Sequence, residues 1–404
     1  MESRIVVLGN KDHGKSTLIG SLLMETGAVT AQRVDDARKT SESLGRKFEP
    51  GYILDSFEEE RKNEMTIDTT RAYLTYKGSR IEFIDVPGHE ELIKNMMSGA
   101  SYADSALLIV SAREIEGFTE QSRRHLFIAS MLGIRKLVVA INKMDAVGYS
   151  DRIFENTKRE IEEYIMKVGI SFREIFFVPV SAYNAENLCR PSGNMRWYNG
   201  TVLVELLSWK SVDNGDAQKE GVATLRGFLD REKGIVMGRV VAGKIMEGEE
   251  LSLMPQGSVM RITELFVGEQ KKESALKGEN IAFVPEERIS SDVRGSVISS
   301  QGAGIESSVA LKARIFIVSD ISGDVSIKMN GIASECAAIK VIETTEIMTG
   351  KRTGKARIIP MQNTAYAEIE TVRPLVYAQF RRIPELGRFM IYSNGSFSGI
   401  GLVE

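Results

Sequence analysis

A loop near the amino terminus has residue types and a spacing that suit phosphate binding. It follows the pattern G-x-x-x-x-G-K-[ST] and consists of Gly9, Asn10, Lys11, Asp12, His13, Gly14, Lys15 and Ser16, with Thr17 next. The glycines let backbone N–H groups turn towards phosphate oxygens, and the start of a following helix adds positive potential. In this chemistry Lys15 reaches the β- and γ-phosphates while the Ser16 hydroxyl ligates Mg²⁺. The loop therefore predicts a site for a nucleoside triphosphate.

A second motif, Asp-Val-Pro-Gly, starts at Asp85 directly after the predicted strand 81–84. A carboxylate at the end of a strand is placed to hold Mg²⁺ through a water molecule. Gly88 has no side chain, so its backbone N–H is able to approach a γ-phosphate. We therefore expect Asp85 and Gly88 to complete the phosphate and metal part of the site.

Two further motifs have the chemistry to select a guanine base. The predicted base-binding residues are Asn142, Lys143, Asp145, Ser181 and Ala182. The Asp145 carboxylate accepts hydrogen bonds from the N1–H and N2–H₂ groups of guanine. Adenine lacks both donors there, so this carboxylate favours GTP and GDP over ATP. Ser181-Ala182 is placed to offer a backbone N–H to guanine O6.

The elements that hold these motifs are predicted to form a doubly wound, mostly parallel α/β sheet over residues 1–208. Short apolar runs alternate there with amphipathic stretches, which is typical of βαβ units. The predicted strands are Ile5–Leu8, Ile81–Asp85, Ala106–Val110, Leu137–Ile141 and Phe176–Pro179. The predicted helices are Ser16–Met24, Glu90–Met97, Glu120–Leu132 and Ile153–Val168. Because such sheets bind ligands at the carboxyl ends of their strands, we expect the motifs to meet at one edge.

The sequence changes character after a polar segment, 209–220, which we interpret as a linker. Short apolar runs separated by glycine-containing turns then predict β-barrels. A break near 300–304 separates a first barrel, 221–300, from a second barrel, 301–404. The predicted strands are 223–229, 235–241, 250–254, 281–284 and 297–299 in the first, and 309–318, 337–344, 354–359, 366–371 and 389–392 in the second. The predicted fold class is an α/β P-loop domain followed by two all-β barrels.

Composition excludes several classes of protein. The 404 residues are 43% hydrophobic and 26% charged, which argues against global disorder and against a disulfide-stapled miniprotein. No apolar run reaches the roughly 18–20 residues that span a bilayer, and no cleavable leader is evident. Cys189 and Cys336 allow at most one disulfide. These features predict a cytoplasmic protein. The net charge of −3 does not by itself point to a nucleic-acid partner, although a local basic face stays possible.

The motifs together resemble the translation-factor class of GTPases. This class includes elongation factor Tu, elongation factor 1-alpha and the GTPase subunit of heterodimeric ATP sulfurylase. The resemblance rests on Asp-His-Gly-Lys-Ser-Thr from Asp12, Asp-Val-Pro-Gly-His from Asp85 and Asn-Lys-Met-Asp from Asn142. It implies a GTP-hydrolysing switch in which GTP or GDP and Mg²⁺ bind a G domain that two barrels follow. It also implies that His89 positions the attacking water and that Thr66 ligates Mg²⁺ in the GTP state.

The switch segment departs from the family pattern. Glu64 and Met65 stand where the family usually has Gly and Ile, and the flexible Met65 is expected to loosen a hydrophobic gate. Two other histidines have less specific surroundings. We expect His13 to form a structural hydrogen bond in the phosphate loop and His125 to lie on a helix surface.

Local similarities divide between two members of the class. Segments 121–128, 142–150 and 253–257 resemble the sulfurylase subunit. They imply an ATP-pyrophosphatase-type partner subunit that makes adenylyl sulfate and pyrophosphate from ATP and sulfate. Segments 167–169 and 384–389 resemble elongation factor 1-alpha, which implies aminoacyl-tRNA and the ribosome as partners.

We place the sulfurylase subunit first, an elongation factor 1-alpha-like GTPase second and a GTP-gated protein-binding module third. None of the three involves a membrane. The carboxyl end is locally basic through Arg373, Arg381, Arg382 and Arg388. Such a cluster suits an RNA contact, a domain interface or a solvated barrel edge.

Overall fold

The computed structural model describes residues 2–43, 45, 47–54, 70–85, 103, 105–113, 117–170, 172–209, 220–289, 292–319, 321–348, 350–354 and 363–404. The chain forms two compact units, one with an α/β sheet and the other with two β-barrels. This confirms the predicted fold class. The predicted linker falls largely on 210–219, which lie outside the described residues.

The strands of the first unit are β1 Glu2–Gly9, β2 Thr70–Tyr76, β3 Ser79–Asp85, β4 Ser105–Ser111, β5 Lys136–Asn142 and β6 Glu174–Pro179. They form a six-stranded sheet in the order β2-β3-β1-β4-β5-β6. Only β2 runs antiparallel to its neighbour, and the other pairs are parallel. The predicted strands are confirmed. β2 lies outside the prediction because its sequence mixes polar and apolar residues, as edge strands do.

The helices of this unit are α1 Lys15–Glu25, α2 Ala31–Ser43, α3 Glu120–Met131, α4 Asp151–Val168 and α5 Leu203–Ser208. Local sequence fixes where two of them start. The Thr119 side chain accepts from the Ser122 N–H at the start of α3. Ser150 caps α4 in the same way. The predicted helices near α1, α3 and α4 are confirmed, α2 and α5 are additional, and the predicted helix Glu90–Met97 lies outside the described part of the chain.

Aliphatic packing on both faces fixes the sheet. On one face Ile5 and Val7 of β1 share a buried cluster with Leu22 of α1 and Leu206 of α5. On the other face α3 packs on β1 and β4. Every residue of β4 and β5 is buried, which matches their nearly continuous apolar sequences. The carboxyl ends of these parallel strands therefore form one rigid edge.

A buried lysine connects the start of β5 to the end of α5. The Lys136 ammonium at the start of β5 donates to the carbonyls of Leu206 and Trp209. These groups lie at the carboxyl end of α5, where backbone carbonyls lack helical partners. The rings of Phe176 and Trp209 lie 5.8 and 5.6 Å from the ammonium. Burial lowers the pKa of Lys136 to about 8. The apolar run that predicts β5 begins one residue later, so no sequence pattern indicated this buried charge.

The first barrel contains β7 Val222–Asp230, β8 Ile235–Ala242, β9 Lys244–Met246, β10 Glu250–Met254, β11 Ser258–Val267, β12 Gln270–Lys271, β13 Ser274–Leu276, β14 Asn280–Pro285 and β15 Val297–Ser299. Six strands close on themselves in the order β10-β15-β7-β8-β14-β11, because β10 also pairs with β11. β12 extends β11, and β9 pairs with β13 in a separate small sheet. The predicted strands are confirmed, and β11 is the longest one missed.

The second barrel contains β16 Glu306–Ile317, β17 Val325–Met329, β18 Ile332–Glu346, β19 Arg352–Thr353, β20 Asn363–Tyr377, β21 Arg388–Ser393 and β22 Ser396–Val403, with a short helix α6 Pro384–Gly387. Its closed order is β17-β21-β22-β16-β20-β18, with β17 pairing to β18. Most of the predicted strand 354–359 lies outside the described residues. Val222, Val297, Val376 and Ile383 belong to one buried cluster shared by the two barrels.

Both cysteines, Cys189 and Cys336, are free thiols, so neither forms the single disulfide that the composition allowed. Within the described ranges no group of three or more His, Cys, Asp or Glu side chains is arranged to hold a metal ion. The helices in those ranges are all too short or too polar to cross a membrane.

Candidate nucleotide-binding site

The phosphate loop connects the end of β1 to the start of α1. Gly9 ends β1 with φ at +140°, and Gly14 precedes α1 with φ at +86°. A Cβ atom on Gly9 would lie 2.5 Å from the Ile109 carbonyl oxygen, and one on Gly14 would lie 2.6 Å from Asn142 Nδ2. Both positions need glycine for backbone conformation and for space, so the two glycines of the motif hold the loop in shape.

Two buried histidines hold this loop through hydrogen bonds. His13 Nδ1 donates to the Ile109 carbonyl at 2.9 Å, which agrees with the structural role predicted for it. His125 is also buried, and its Nδ1 accepts a hydrogen bond from the Gly9 N–H at 3.4 Å. The prediction that His125 lies on a helix surface is therefore wrong. The spacing of Ser122, His125 and Ala129, all buried, marks the covered face of α3 and would have shown this.

The lysine and serine of the loop face the open edge of the sheet. Lys15 Nζ donates to the carbonyls of Gly9 and Asn10, each at 3.1 Å. Ser16 is exposed in the first turn of α1, and Asp12 is exposed within the phosphate loop. Thr17 is half-buried on the same turn. Lys11 lies in the loop, although its side chain is outside the described part.

Asn142 joins the phosphate loop to the loop after β6, residues 180–187, which we call the base loop. Its side chain is buried, and Nδ2 donates to the His13 carbonyl at 2.9 Å. Its Oδ1 accepts from the Ala182 N–H, also at 2.9 Å. The next residue, Lys143, has a left-handed backbone with φ at +63°, which turns the chain out of β5. One amide thus connects loops that follow three different strands.

The predicted base-recognition carboxylate is exposed and oriented. Ser181 Oγ donates to Asp145 Oδ1 at 2.6 Å. Among the residues that the structure describes, no other group donates to this carboxylate, so its second oxygen is open to a base. Two bonds hold the neighbouring Ala182, because its N–H donates to Asn142 and its carbonyl accepts from Ser21 Oγ at 2.6 Å.

The structure gives the Ala182 N–H a partner within the protein. We predicted that Ser181-Ala182 offers a backbone N–H to guanine O6, and the Ala182 N–H donates to the Asn142 side chain at 2.9 Å. The contact of this pair with guanine O6 stays a prediction. Ala182 is buried, so its backbone anchors the base loop rather than forming its open edge. Sequence spacing places the loop correctly and does not reveal how each N–H is used.

The aromatic segment after the base loop packs inside the first unit. Trp197 Nε1 donates to the Tyr149 carbonyl at 2.9 Å, and its ring lies 5.4 Å from that of Phe154 on α4. Burial, followed by a hydrogen bond with Glu186, raises the pKa of Tyr149. The Trp197 contacts hold the turn at residues 148–150 that leads from β5 into α4.

Several predicted residues lie outside the described part of the chain. Asp85 ends β3 and pairs with Val7 through the backbone, but its side chain is not described. Gly88, His89 and Thr66 lie in segments that are outside the described residues. The roles of these residues at the γ-phosphate and at Mg²⁺ therefore stay predictions.

The buried amide of Asn142 gives a direct test of the site. Asn142→Ala leaves the His13 carbonyl and the Ala182 N–H without this partner and should lower the free energy of unfolding by about 2 kcal/mol. We expect GDP affinity to fall about tenfold or more, because the two loops lose their connection. Calorimetric titration and urea denaturation measure these changes. Asn184→Ala, an exposed amide on the same base loop, is the matched control. Equal GDP affinity in the two variants would contradict the linking role.

Known proteins resemble the chain along its length. Residues 2–229 match the family model described as elongation factor Tu GTP binding domain, and residues 312–404 match the GTP-eEF1A C-terminal domain-like model. The elongation factors 1-alpha of Methanosphaerula palustris and Aeropyrum pernix are each 32% identical to the chain. Those alignments cover 98% and 99% of the chain, respectively, and 95% of each relative. The elongation factor 1-alpha of Thermoplasma acidophilum is 31% identical, over 98% of the chain and 96% of that protein.

A solved structure supports the fold independently. The Ski7 GTPase-like domain of S. cerevisiae, bound to GTP, matches with a TM-score of 0.54 over 100% of this chain and 97% of that one. At 16% identity this likeness concerns the fold alone. The family models and the archaeal relatives carry the assignment further. The chain belongs to the elongation factor Tu and elongation factor 1-alpha family, the translation-factor class of GTPases.

Proposed function

We propose that the protein is a translation GTPase of the elongation factor 1-alpha type, which carries aminoacyl-tRNA to the ribosome in its GTP form. One observation carries this proposal. Relatives named elongation factor 1-alpha align with 98% or 99% of the chain, and so include both barrels as well as the GTPase unit. A switch domain shared with unrelated GTPases would account for the first unit only.

The sulfurylase subunit that we placed first has no support from these relatives. Segment 121–128, one of those that suggested it, lies in α3. Segment 142–150 covers the end of β5 and the loop before α4, and segment 253–257 covers the end of β10 and the turn before β11. These segments are short, whereas relatives named elongation factor 1-alpha align with 98% or 99% of the chain, so we now favour the elongation factor alternative.

The proposed chemistry starts with the phosphates. Backbone N–H groups of the loop surround them, and the Lys15 ammonium exchanges the Gly9 and Asn10 carbonyls for the β- and γ-phosphate oxygens. The exposed Ser16 hydroxyl suits a Mg²⁺ ligand, with Thr66 and, through water, Asp85 as the other proposed ligands. Bound Mg²⁺ would neutralise charge on the phosphates. Hydrolysis would then release the contacts that hold the switch segments in the GTP state.

The carboxyl end offers exposed arginines for an RNA backbone. Arg373 and Arg381 are exposed on the second barrel. Arg382 donates to the Gly302 carbonyl at 2.7 Å, and Arg388 is half-buried, so these two have a structural role in the barrel unit. We therefore assign the RNA contact to Arg373 and Arg381. The cytoplasmic location expected from the sequence stays a prediction.

Base choice is testable at Asp145. Asp145→Asn replaces an acceptor for guanine N1–H and N2–H₂ with an amide that donates to the xanthine C2 carbonyl. We expect GTP affinity to fall by a factor of about 10–100, as for a lost hydrogen bond to a charged group, while XTP affinity rises. Competition binding with GTP and XTP measures the preference. Glu155→Gln, an exposed carboxylate on α4, is the control. Retained preference for GTP in Asp145→Asn would remove this residue from base selection.

The hydrolytic role of His89 has a separate test. His89→Ala should keep GTP affinity and lower ribosome-stimulated hydrolysis by about 100-fold, because the attacking water loses the side chain that orients it. Single-turnover hydrolysis with and without ribosomes gives both rates. Stimulated turnover equal to that of the unaltered protein would exclude His89 from the mechanism.

The partner is identified by what binds the protein when it is loaded with a non-hydrolysable GTP analogue. We expect aminoacyl-tRNA to bind in this state and to dissociate in GDP, and Arg381→Glu to weaken it while Arg352→Glu, also exposed, does not. Filter binding with purified aminoacyl-tRNA measures the affinities. A stoichiometric ATP-pyrophosphatase-type protein in place of tRNA would restore the sulfurylase reading. Tight GTP binding with negligible hydrolysis and neither partner would favour the protein-binding module.

A further inference from the structure

A buried carboxylate bonds three strands of the α/β sheet. Glu82 lies on β3, and its side chain is only 4% exposed. Its Oε1 atom accepts from Arg71 Nη1 at 2.9 Å and from the Tyr73 hydroxyl at 3.0 Å, and both of these residues lie on β2. Its Oε2 atom pairs with Arg4 Nε on β1 at 3.3 Å. Each oxygen of the carboxylate is therefore used, and its donors come from the strands on both sides of β3.

The carboxylate matters most for β2, because β2 is the edge strand and pairs with β3 alone. One face of β2 packs on the core through Leu74, which is buried. On the opposite face Arg71 and Tyr73 hold the strand through their bonds to Glu82. β1 differs, since it pairs with β3 on one side and β4 on the other. Loss of the carboxylate should therefore loosen β2 while β1 stays in place.

The same bonds fix the register of β2 against β3. Tyr73 lies directly opposite Glu82 in this antiparallel pair, and Arg71 lies two residues away on the same face. A slip by one residue would turn Leu74 out of the core. A slip by two residues would place Arg71 or Thr75 opposite the carboxylate and break the present pair of bonds. Core packing and Glu82 together therefore allow one register.

This register decides where two functional segments join the sheet. Thr70 begins β2 and Asp85 ends β3, and their backbones are direct cross-strand partners. The chain before Thr70 carries Thr66, and the chain after Asp85 carries Gly88. These two residues are the proposed contacts of Mg²⁺ and of the γ-phosphate, and we call the chain that carries them the switch segments. Both switch segments therefore join the sheet at one place, close along β3 to Glu82.

We propose that Glu82 is a positioning residue that sets the ratio of GTP affinity to GDP affinity. GTP engages both switch segments through its γ-phosphate and Mg²⁺, whereas GDP has no γ-phosphate to hold them. A fixed junction lowers the conformational entropy that is lost when GTP orders these segments. Loosening β2 therefore weakens GTP binding and leaves GDP binding, which depends on the phosphate and base loops, nearly unaltered. The inference rests on the GTP-dependent switch of the proposed function and not on tRNA.

Fluorescence titration with methylanthraniloyl-labelled GDP and a labelled non-hydrolysable GTP analogue measures the affinity ratio. Arg71→Met removes the ion pair between β2 and the carboxylate and should lower the analogue-to-GDP affinity ratio about fivefold or more, the usual scale of coupling between sites. Glu82→Gln should lower it at least as far, because an amide has one acceptor oxygen for donors on two strands. Arg71→Lys keeps a charged donor on β2 and should give an intermediate ratio.

Arg4→Met is the matched control, because it removes the other arginine of the same carboxylate from a strand that stays paired on both sides. It should leave the affinity ratio unaltered. Lys77→Met, which removes an exposed ion pair with Glu205 at the turn end of the same hairpin, should leave it unaltered as well. Urea denaturation of each variant separates a changed ratio from a general loss of stability. The proposal is overturned if Arg71→Met keeps the ratio of the unaltered protein, or if Arg4→Met lowers it equally.

The outcomes also separate this inference from the proposed function. An unaltered protein that binds neither nucleotide would overturn the site assignment and this inference together. Normal binding of both nucleotides with an unchanged ratio in Arg71→Met would overturn this inference alone. Absence of tRNA binding would contradict the proposed partner and leave the ratio test in force. If Glu82→Gln does not fold, Arg71→Met and Arg71→Lys still decide the outcome, since the Arg71 side chain is 35% exposed.

Discussion

The site depends on a single buried amide that bonds two loops no secondary structure holds together. Asn142 donates to the carbonyl of His13 and accepts from the N–H of Ala182. Both groups are in the interior, where an unmet hydrogen-bonding group costs about 1–3 kcal/mol, so the arrangement has few alternatives. The same amide fills the space beside Gly14, which explains why that position has no room for a side chain. Phosphate binding and base binding are thus parts of one hydrogen-bonded assembly.

Burial of whole strands holds the sheet beneath these loops. β4 and β5 are buried along their whole length, and their parallel pairing brings the loops to one edge. His125 connects α3 to the phosphate loop, because its Nδ1 accepts a hydrogen bond from the Gly9 N–H. A loop supported from both the sheet and a helix keeps its N–H groups oriented before ligand arrives, which reduces the ordering cost of binding.

The two barrels contribute both to the choice of relatives and to the proposed partner contact. Closure of both sheets leaves their principal strands paired on both sides, so the barrels are self-contained surfaces rather than open edges. Local similarity to the sulfurylase subunit is confined to short segments in α3, in the loop after β5 and in a barrel turn. Similarity along the whole chain is the better guide, and it favours elongation factor 1-alpha. In this proposal, the exposed Arg373 and Arg381 of the second barrel contact the RNA backbone.

The sequence by itself determined five of the six strands of the α/β sheet, three helices and the loops of the site, because hydrophobic periodicity and glycine-containing motifs are local properties. It placed Gly14, Lys15 and Asp145 at one edge through the rule for parallel sheets. It failed where a residue's role depends on what packs against it. His125 is buried because α3 turns that face to the sheet, and the Ala182 N–H is used by Asn142 from another strand.

Tertiary structure alone decided these partners, and also the burial of Lys136 against the end of α5 and the contact of Lys47 with Tyr183. Each pair joins residues that are far apart in the chain. The free energy of such contacts comes from desolvation and hydrogen-bond geometry that exist only after the elements pack, so no local pattern records them.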